Sequence, residues 1–301
     1  MTTKKIKVVV TGGAGFIGSH LVKKLIEADY DVFVIDNLLA GKEENLHPKA
    51  KFFKLDVRNL EDITPVFKGA KYVFHLAAIP SVQFSIENPR ETNEINIGGT
   101  LNVLTAAKDT GVKRIIYSAS SSVYGDAKKL PIAENEPAKP KSPYALQKYV
   151  GELYCKMFSD LYGIETVCLR YFNVYGKNQP SKGAYASVLA KFLDLKKENK
   201  KLTIVGDGNQ TRDFTNVSDV ADANILAAKS ERVGKGESIN IGTGKKYSVK
   251  EIAEIIGGPV EYLPPRIEPK DSLADISFAK FLLDWEPKID LEKGLKELLG
   301  R

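Results

Sequence analysis

The residues of this 301-residue chain that could do chemistry begin close to its amino end, in Thr11-Gly12-Gly13-Ala14-Gly15-Phe16-Ile17-Gly18. Glycines at 12, 15 and 18 suit a turn that seats a pyrophosphate. Gly12 permits the sharp bend, Gly15 lets the backbone approach the anion, and Gly18 lets the following helix pack on the preceding strand. That helix would aim unpaired N–H groups and a partial positive charge at the phosphate. Asp36 comes roughly 20 residues later, where a dinucleotide fold places an acid on the adenine ribose hydroxyls. A carboxylate there would repel a 2′-phosphate, so the expected cofactor is NAD rather than NADP. Farther along, Ser120-Ser121-Ser122 precedes Tyr144 and Lys148, which stand four apart and so share one helix face, one turn from each other.

The elements that must position these groups can be read from apolar spacing. Lys7-Val8-Val9-Val10 has strand composition, and Ile17, Leu21, Val22, Leu25 and Ile26 give a helix to about Asp29. Further strands are expected over 31–36, 51–57, 71–78, 113–118 and 166–171. Asp56 closes the third strand within reach of an adenine, and the small Ala77 and Ala78 end the fourth, where a cofactor could lie close. His75, inside that apolar strand, reads as a core histidine. A helix over 93–110 stops at Gly111, and another opens with Ser142 as N-cap and Pro143 at its first position. Strands alternating with helices in this way indicate an α/β fold with a doubly wound parallel sheet. Beyond residue 172 the rhythm loosens. Helices are expected over 186–197, 218–230, 249–256, 277–283 and 291–299, and strands over 202–205 and 238–241. This later half should cover the carboxyl ends of the strands, where ligands bind in open α/β sheets.

Bulk composition narrows the function classes. With 43% hydrophobic and 27% charged residues the chain reads as a soluble globular protein. Its net charge of +6 is spread thinly, in doublets such as Lys4-Lys5, Lys128-Lys129 and Lys200-Lys201. That describes a solvated surface friendly to anionic small substrates, not a nucleic-acid face. Cys155 and Cys168 have no CxxC spacing and sit in apolar context, as buried free thiols of a reducing compartment would. No metal site is expected. Neither a signal peptide nor a run of about 18 apolar residues is visible, and a cytoplasmic protein without membrane contact is expected.

The motifs together resemble the extended short-chain dehydrogenase/reductase family, and within it the nucleotide-sugar enzymes similar to UDP-glucose 4-epimerase. The resemblance covers essentially the whole chain. It is carried by the glycine turn, by Tyr144-Ala145-Leu146-Gln147-Lys148, by Arg170-Tyr171-Phe172-Asn173-Val174-Tyr175-Gly176, by Gly208-Asn209-Gln210-Thr211-Arg212-Asp213-Phe214 and by Ser272-Leu273-Ala274-Asp275. It implies an NAD-binding Rossmann domain over 1–172, to which some later segments return. A smaller, interleaved UDP-sugar-binding α/β domain over 173–301 would complete the chain.

Carried over residue by residue, the resemblance places the catalytic set on Ser120, Tyr144 and Lys148, with Ser121 and Ser122 as alternative hydroxyls. Removing hydride from a sugar carbinol requires loss of the hydroxyl proton, and a free tyrosine with pKa near 10 is a poor base at neutral pH. Lys148 and the nicotinium charge would favour the phenolate, and Ser120 would orient the substrate oxygen. The cofactor contacts implied are Gly12, Gly15, Phe16, Ile17, Asp36, Asn37, Asp56, Val57, Leu76, Ala77, Ala78 and Asn96, with Tyr144 and Lys148. On the substrate side, Asn173, Arg212 and Arg266 match diphosphate positions, although Pro264-Pro265-Arg266-Ile267-Glu268 departs from the family's Arg-x-Gly-Asp pattern. Ala186, Ser187, Val188, Thr203 and Val205 fall in segments that sandwich the uracil, and Ser81, Ser122 and Ser272 border the sugar.

The reaction is read from the two residues after Ser120. Related 4,6-dehydratases and uronate decarboxylases carry acidic residues there, and this chain has Ser121 and Ser122. An epimerase needs neither an added acid nor a base: a transient 4-keto sugar turns over in the site and is reduced from its other face. The resemblance therefore implies a UDP-hexose 4-epimerase. A dehydratase, decarboxylase or reductase of the same family is the alternative, and a non-catalytic NAD-sensing protein is the alternative of another class. The residue three before the Ala-Asp aspartate is tyrosine in family members restricted to simple hexoses. Here it is Ser272, and Ala78-Ile79-Pro80-Ser81-Val82 also resembles the branch that accepts N-acetylhexosamines, so both sugar classes are expected. Helices over about 95–110 and 142–161 would pair across a two-fold axis as a four-helix bundle, giving a homodimer.

Overall fold

In the computed structural model, residues 5–127, 129–181, 187–264 and 271–300 are described. Its first half is a regular alternation. β1 (Lys7–Thr11), α1 (Phe16–Glu27), β2 (Asp31–Ile35), β3 (Lys51–Phe53), α2 (Leu60–Phe67) and β4 (Tyr72–His75) come first. Next are α3 (Val82–Glu87), α4 (Pro89–Asn93), a π-helical turn (Glu94–Gly98), α5 (Gly99–Asp109), β5 (Arg114–Ser120), α6 (Pro143–Tyr162) and β6 (Glu165–Tyr171). The second half holds β7 (Val174–Tyr175), α7 (Val188–Lys197), β8 (Leu202–Val205), β9 (Thr211–Arg212), β10 (Thr215–Asn216) and α8 (Val217–Lys229). It closes with β11 (Lys235–Ile241), β12 (Tyr247–Ser248), α9 (Val249–Ile256), β13 (Val260–Leu263), α10 (Ser277–Leu283) and α11 (Leu291–Leu298).

Seven strands form one sheet in the order β11-β6-β5-β4-β1-β2-β3, each pair parallel. The order runs outward from β1 to β3 on one side and from β4 to β11 on the other. The strand order therefore reverses between β1 and β4, and the crevice at their carboxyl ends is where such a sheet takes a ligand. Strand alternation divides the core. Val8 and Val10 of β1 pack on the side of α1, α8 and the buried Trp285, whereas Val9 packs with Val103, Leu104 and Phe158 of α5 and α6. Both faces are covered, which is why the strands read as continuous apolar runs. A third cluster, built from Phe192, Ile204, Ile252 and Leu295 among others, gives the later segments their own core.

Several expectations need correction. The third strand ends at Phe53 rather than at residue 57, because Asp56 instead caps a turn by accepting the Arg58 N–H at 2.9 Å. The fourth ends at His75, and the fifth continues to Ser120. The helix expected over 93–110 starts at Pro89 and is interrupted by the π turn at Glu94–Gly98. Both cysteines are buried and unpaired. Among the described residues no helix is long and apolar enough to cross a membrane.

Candidate active site

The glycine turn is built as its spacing requires. Gly12 has φ +73°, and a Cβ there would stand 2.7 Å from the Ala77 nitrogen at the end of β4. A Cβ on Gly18 would stand 2.1 Å from the Gly12 carbonyl oxygen, so this glycine is needed by the turn itself. A Cβ on Gly15 would meet only the Gly12 oxygen, at 3.2 Å. Gly15 caps α1 without a side-chain hydrogen bond, and the first turn of α1 holds no acid, which leaves its positive end for an anion.

From this turn a cavity of about 540 Å³ runs along the carboxyl ends of the strands. The end beside the glycine turn is walled by Gly12, Gly15, Phe16, Ile17, Asp36, Asn37, Val57, Leu76, Ala77 and Ala78. Asp36 is buried, and its carboxylate accepts the Leu38 N–H at 2.8 Å and the Ala14 N–H at 3.0 Å. Burial pushes its carboxyl up while these two donors pull it down. The sequence reading overlooked Gly41, although a glycine five residues after the acid was the signal. A Cβ at Gly41 would stand 2.8 Å from Asp36 Oδ1.

Ser120, Tyr144 and Lys148 meet on the same wall, with Ser122 beside them. Ser120 ends β5, where its hydroxyl accepts the Ser122 N–H at 3.2 Å and the Ser122 hydroxyl at 2.9 Å. Tyr144 lies in the first turn of α6, a helix opened by the Ser142 side chain accepting the Ala145 N–H at 3.1 Å. Tyr144 lines the cavity. Burial raises the Tyr144 pKa, and a hydrogen bond with Ser120 opposes that rise. Lys148 is 4% exposed and donates from Nζ to the Ser118 carbonyl at 2.7 Å. Burial draws its pKa down to about 8, against the opposing effects of Cys155 and Glu152. In this arrangement the Lys148 ammonium is hydrogen-bonded to the Ser118 carbonyl, one helical turn from Tyr144.

On the far side, Asn173, Ser187, Arg212 and Ser272 line the cavity. Ala186 and Arg266 lie outside the described residues. Six of the expected contacts stand off the wall. Asp56 is turned to Arg58 and Asn37, and the Arg58 guanidinium holds its carboxyl down to about 2; Leu55 and Val57 line the cavity in its place. Asn96 is 1% exposed and fully engaged: its Oδ1 accepts the Ile79 N–H at 2.8 Å, and its Nδ2 donates to Ile79 O at 3.1 Å and to Gln147 Oε1 at 2.8 Å. It holds the Ala78–Pro80 turn that forms the wall. Ser81, 2% exposed, caps α3 by accepting the Phe84 N–H at 3.1 Å. Val188 packs on the third core cluster, and Thr203 and Val205 alternate with the core residues Leu202 and Ile204 without reaching the wall.

Phe214 and Gln179 are among the wall residues that the sequence did not assign to the site. Gln179 donates from Nε2 to Val174 O at 2.8 Å, and its buried Oε1 has no protein partner. His75 is core, as its setting in β4 suggested. Thr100 donates its hydroxyl to Asn96 O at 2.6 Å and so takes the His75 Nε2 proton at 2.9 Å, leaving Nδ1 to accept from Thr11 at 2.7 Å. Burial draws its pKa down to about 3, and the ring stays neutral.

A parallel sheet with a glycine turn at its switch point, an acid after β2 and a Ser–Tyr–Lys wall defines a dinucleotide-dependent α/β enzyme. The open Gly15, the acid at Asp36 and the unpartnered Gln179 acceptor all fit a bound dinucleotide. The chain belongs to the NAD dependent epimerase/dehydratase family, whose model matches residues 8–242; its cofactor is NAD. It is 44% identical over 302 residues to a putative UDP-glucose 4-epimerase of Methanocaldococcus jannaschii, with 97% of each chain covered. Its fold is similar to the crystal structure of the Thermotoga maritima UDP-glucose 4-epimerase with UDP-glucose, at TM-score 0.93, 41% identity and 98% of each chain. It is equally similar to the UDP-N-acetylglucosamine 4-epimerase of Methanobrevibacter ruminantium in complex with UDP-N-acetylmuramic acid. There the TM-score is 0.93 and the identity 41%, covering 99% of this chain and 98% of that one.

Proposed function

We propose that this protein is a UDP-hexose 4-epimerase that interconverts UDP-glucose with UDP-galactose and UDP-GlcNAc with UDP-GalNAc. The observation that carries the reading is the Ser120–Tyr144–Lys148 wall continued by Ser121 and Ser122, where the acidic residues of a dehydratase or decarboxylase would stand. Among the described residues the wall's carboxylates are Asp36, which holds the glycine turn, and Asp271, which is engaged by Thr211 at 2.5 Å and Lys246 at 3.7 Å. Neither is free to act as the extra acid or base that an elimination requires.

When bound, NAD supplies the acceptor and later the donor of the hydride at carbon 4. The chain supplies the rest. Gly12 and Gly15 and the start of α1 hold the pyrophosphate, and Asp36 takes the adenine ribose. Tyr144 Oη receives the proton of the carbon-4 hydroxyl and later returns it. It can receive that proton only as the phenolate; burial raises its pKa and the Ser120 hydrogen bond opposes the rise, so the cationic groups of the assembled site have to favour the ionised form. Ser120 shares the substrate oxygen and keeps Tyr144 aimed at it, while Lys148 holds the nicotinamide ribose. Arg212 and Asn173 anchor the diphosphate while the 4-keto hexose turns over between Ser122 and Ser272. In this reading residues 1–172, joined by β11 and α8, serve the cofactor, and the rest of 173–301 serves the UDP-sugar. Replacing Tyr144 by Phe should lower kcat by roughly 10²- to 10⁴-fold, the usual worth of a positioned acid–base group, while bound NAD is retained. Wild-type turnover in that variant would overturn the assignment.

The assembly proposed is a homodimer. Leu146, Leu153, Met157 and Leu161 of α6 are all exposed, and their spacing of seven, four and four sets them in one stripe along the helix. An apolar stripe of this kind favours burial against a second copy.

A further inference from the structure

We propose that Asp213 is the positioning residue of the nucleotide-sugar half of the cavity, acting through Arg212, Asn173 and Ser272 and not on the reacting atoms. The identity of its ligand rests on the UDP-hexose reading; its mechanism rests on geometry.

Asp213 is fully buried. Its Oδ1 accepts both the N–H and the hydroxyl of Thr243 at 2.7 Å, and its Oδ2 accepts the Gly244 N–H at 3.0 Å and the Ala274 N–H at 3.1 Å. One carboxylate thereby ties the strand that carries Arg212 to the loop after β11 and to the segment that carries Ser272. Extended-chain alternation makes this possible. Arg212 and Phe214 face the cavity, so Thr211 and Asp213 face the opposite way. There Thr211 donates its hydroxyl to Asp271 at 2.5 Å and accepts the Ser272 N–H at its carbonyl at 3.1 Å. The backbone carbonyl of Asp213 also accepts Nδ2 of Asn173 at 3.2 Å. Gly242 is the enabling neighbour, since a Cβ there would stand 2.4 Å from the Ala274 Cβ and 2.8 Å from Asp213 Oδ2. Hydrogen bonds to an ionised acceptor are the strong kind, and a buried donor left without its acceptor is costly. An amide of the same shape would turn an NH₂ toward two donors, and the three segments would lose their common anchor.

The test is Asp213→Asn, with Thr243→Val as a milder companion that removes one donor of the four. Steady-state kinetics with UDP-glucose, UDP binding by calorimetry, NAD content and thermal unfolding are measured on all three proteins. For a lost charge-assisted bond the expected result is a KM and a UDP Kd raised by roughly tenfold or more in Asp213→Asn. Thr243→Val should show a smaller rise of the same kind, with kcat and NAD content held near wild type in both. An unchanged UDP Kd in a folded Asp213→Asn overturns the proposal, as does a fall in kcat with KM unmoved. If Asp213→Asn does not fold, Thr243→Val decides by the same split. A wild-type protein that binds UDP but epimerises no hexose defeats the epimerase reading alone, because the Kd comparison still stands. A wild-type protein that does not bind UDP overturns both.

Discussion

Ser272 stands on the cavity wall with its N–H given to the Thr211 carbonyl, two residues before Ala274, whose N–H Asp213 accepts, and its small side chain takes up little of the cavity's space. Ser272→Tyr should fill that space, abolish turnover of UDP-GlcNAc and spare UDP-glucose; equal losses on the two substrates, measured side by side, would remove Ser272 from the account of sugar choice. Of the other wall residues, Gly12, Asp36, Tyr144 and Lys148 stand out by local spacing, whereas Ser120, Asn173 and Arg212 were named through the family resemblance. Asn96 and Ser81 were placed one layer too near the ligand. Their polar atoms are consumed by Ile79, Gln147 and Phe84, and the Gln147 partner lies in an element that sequence distance does not reveal. Asp213 escaped for the same reason, since its four donors come from two segments that only the fold brings together.

Among the elements, strands with a continuous apolar run, such as β2, β5 and β6, and helices with a clear period or cap, such as α1, α6, α8 and α9, were readable. The capping box of α9, with Ser248 and Glu251 satisfying each other's backbone N–H, is such a signal. Three elements with a weak or masked period were not seen. Pro65 lies inside α2 and masks its period, α3 is six residues long, and β13 presents three exposed residues out of four. The pairings of β7 with β10, β8 with β13 and β9 with β12 involve short strands far apart in the chain, where period alone carries no partner. The element with the clearest unmet demand is α6, which buries Lys148, Glu152 and Cys155 on one side and exposes its leucine and methionine stripe on the other. Leu153→Asp together with Met157→Lys should halve the mass found by sedimentation equilibrium and leave the fold intact. A parent protein that already sediments as a monomer would contradict the dimer.

For the whole molecule, the parallel sheet and its switch point result from the alternation of strand and helix, and the topology then places the ligand crevice. The order β11-β6-β5-β4-β1-β2-β3 adds what alternation alone could not supply, namely that a strand from the last third of the chain completes the sheet. It lies beside β6, whose end leads into Asn173, and Thr243 of the Asp213 knot stands two residues beyond it. In the proposed division the cofactor and substrate parts are thus tied along one edge of the sheet, which suits a reaction in which NAD stays bound through a full cycle of hydride removal and return. The most direct measurement of that claim is proton NMR of the purified protein incubated separately with UDP-glucose and with UDP-GlcNAc, with no other acceptor added. The account predicts that each substrate passes to an equilibrium mixture of its two carbon-4 epimers, with no net NADH released. A 4-keto-6-deoxy product, or either substrate left as a single epimer, would contradict it.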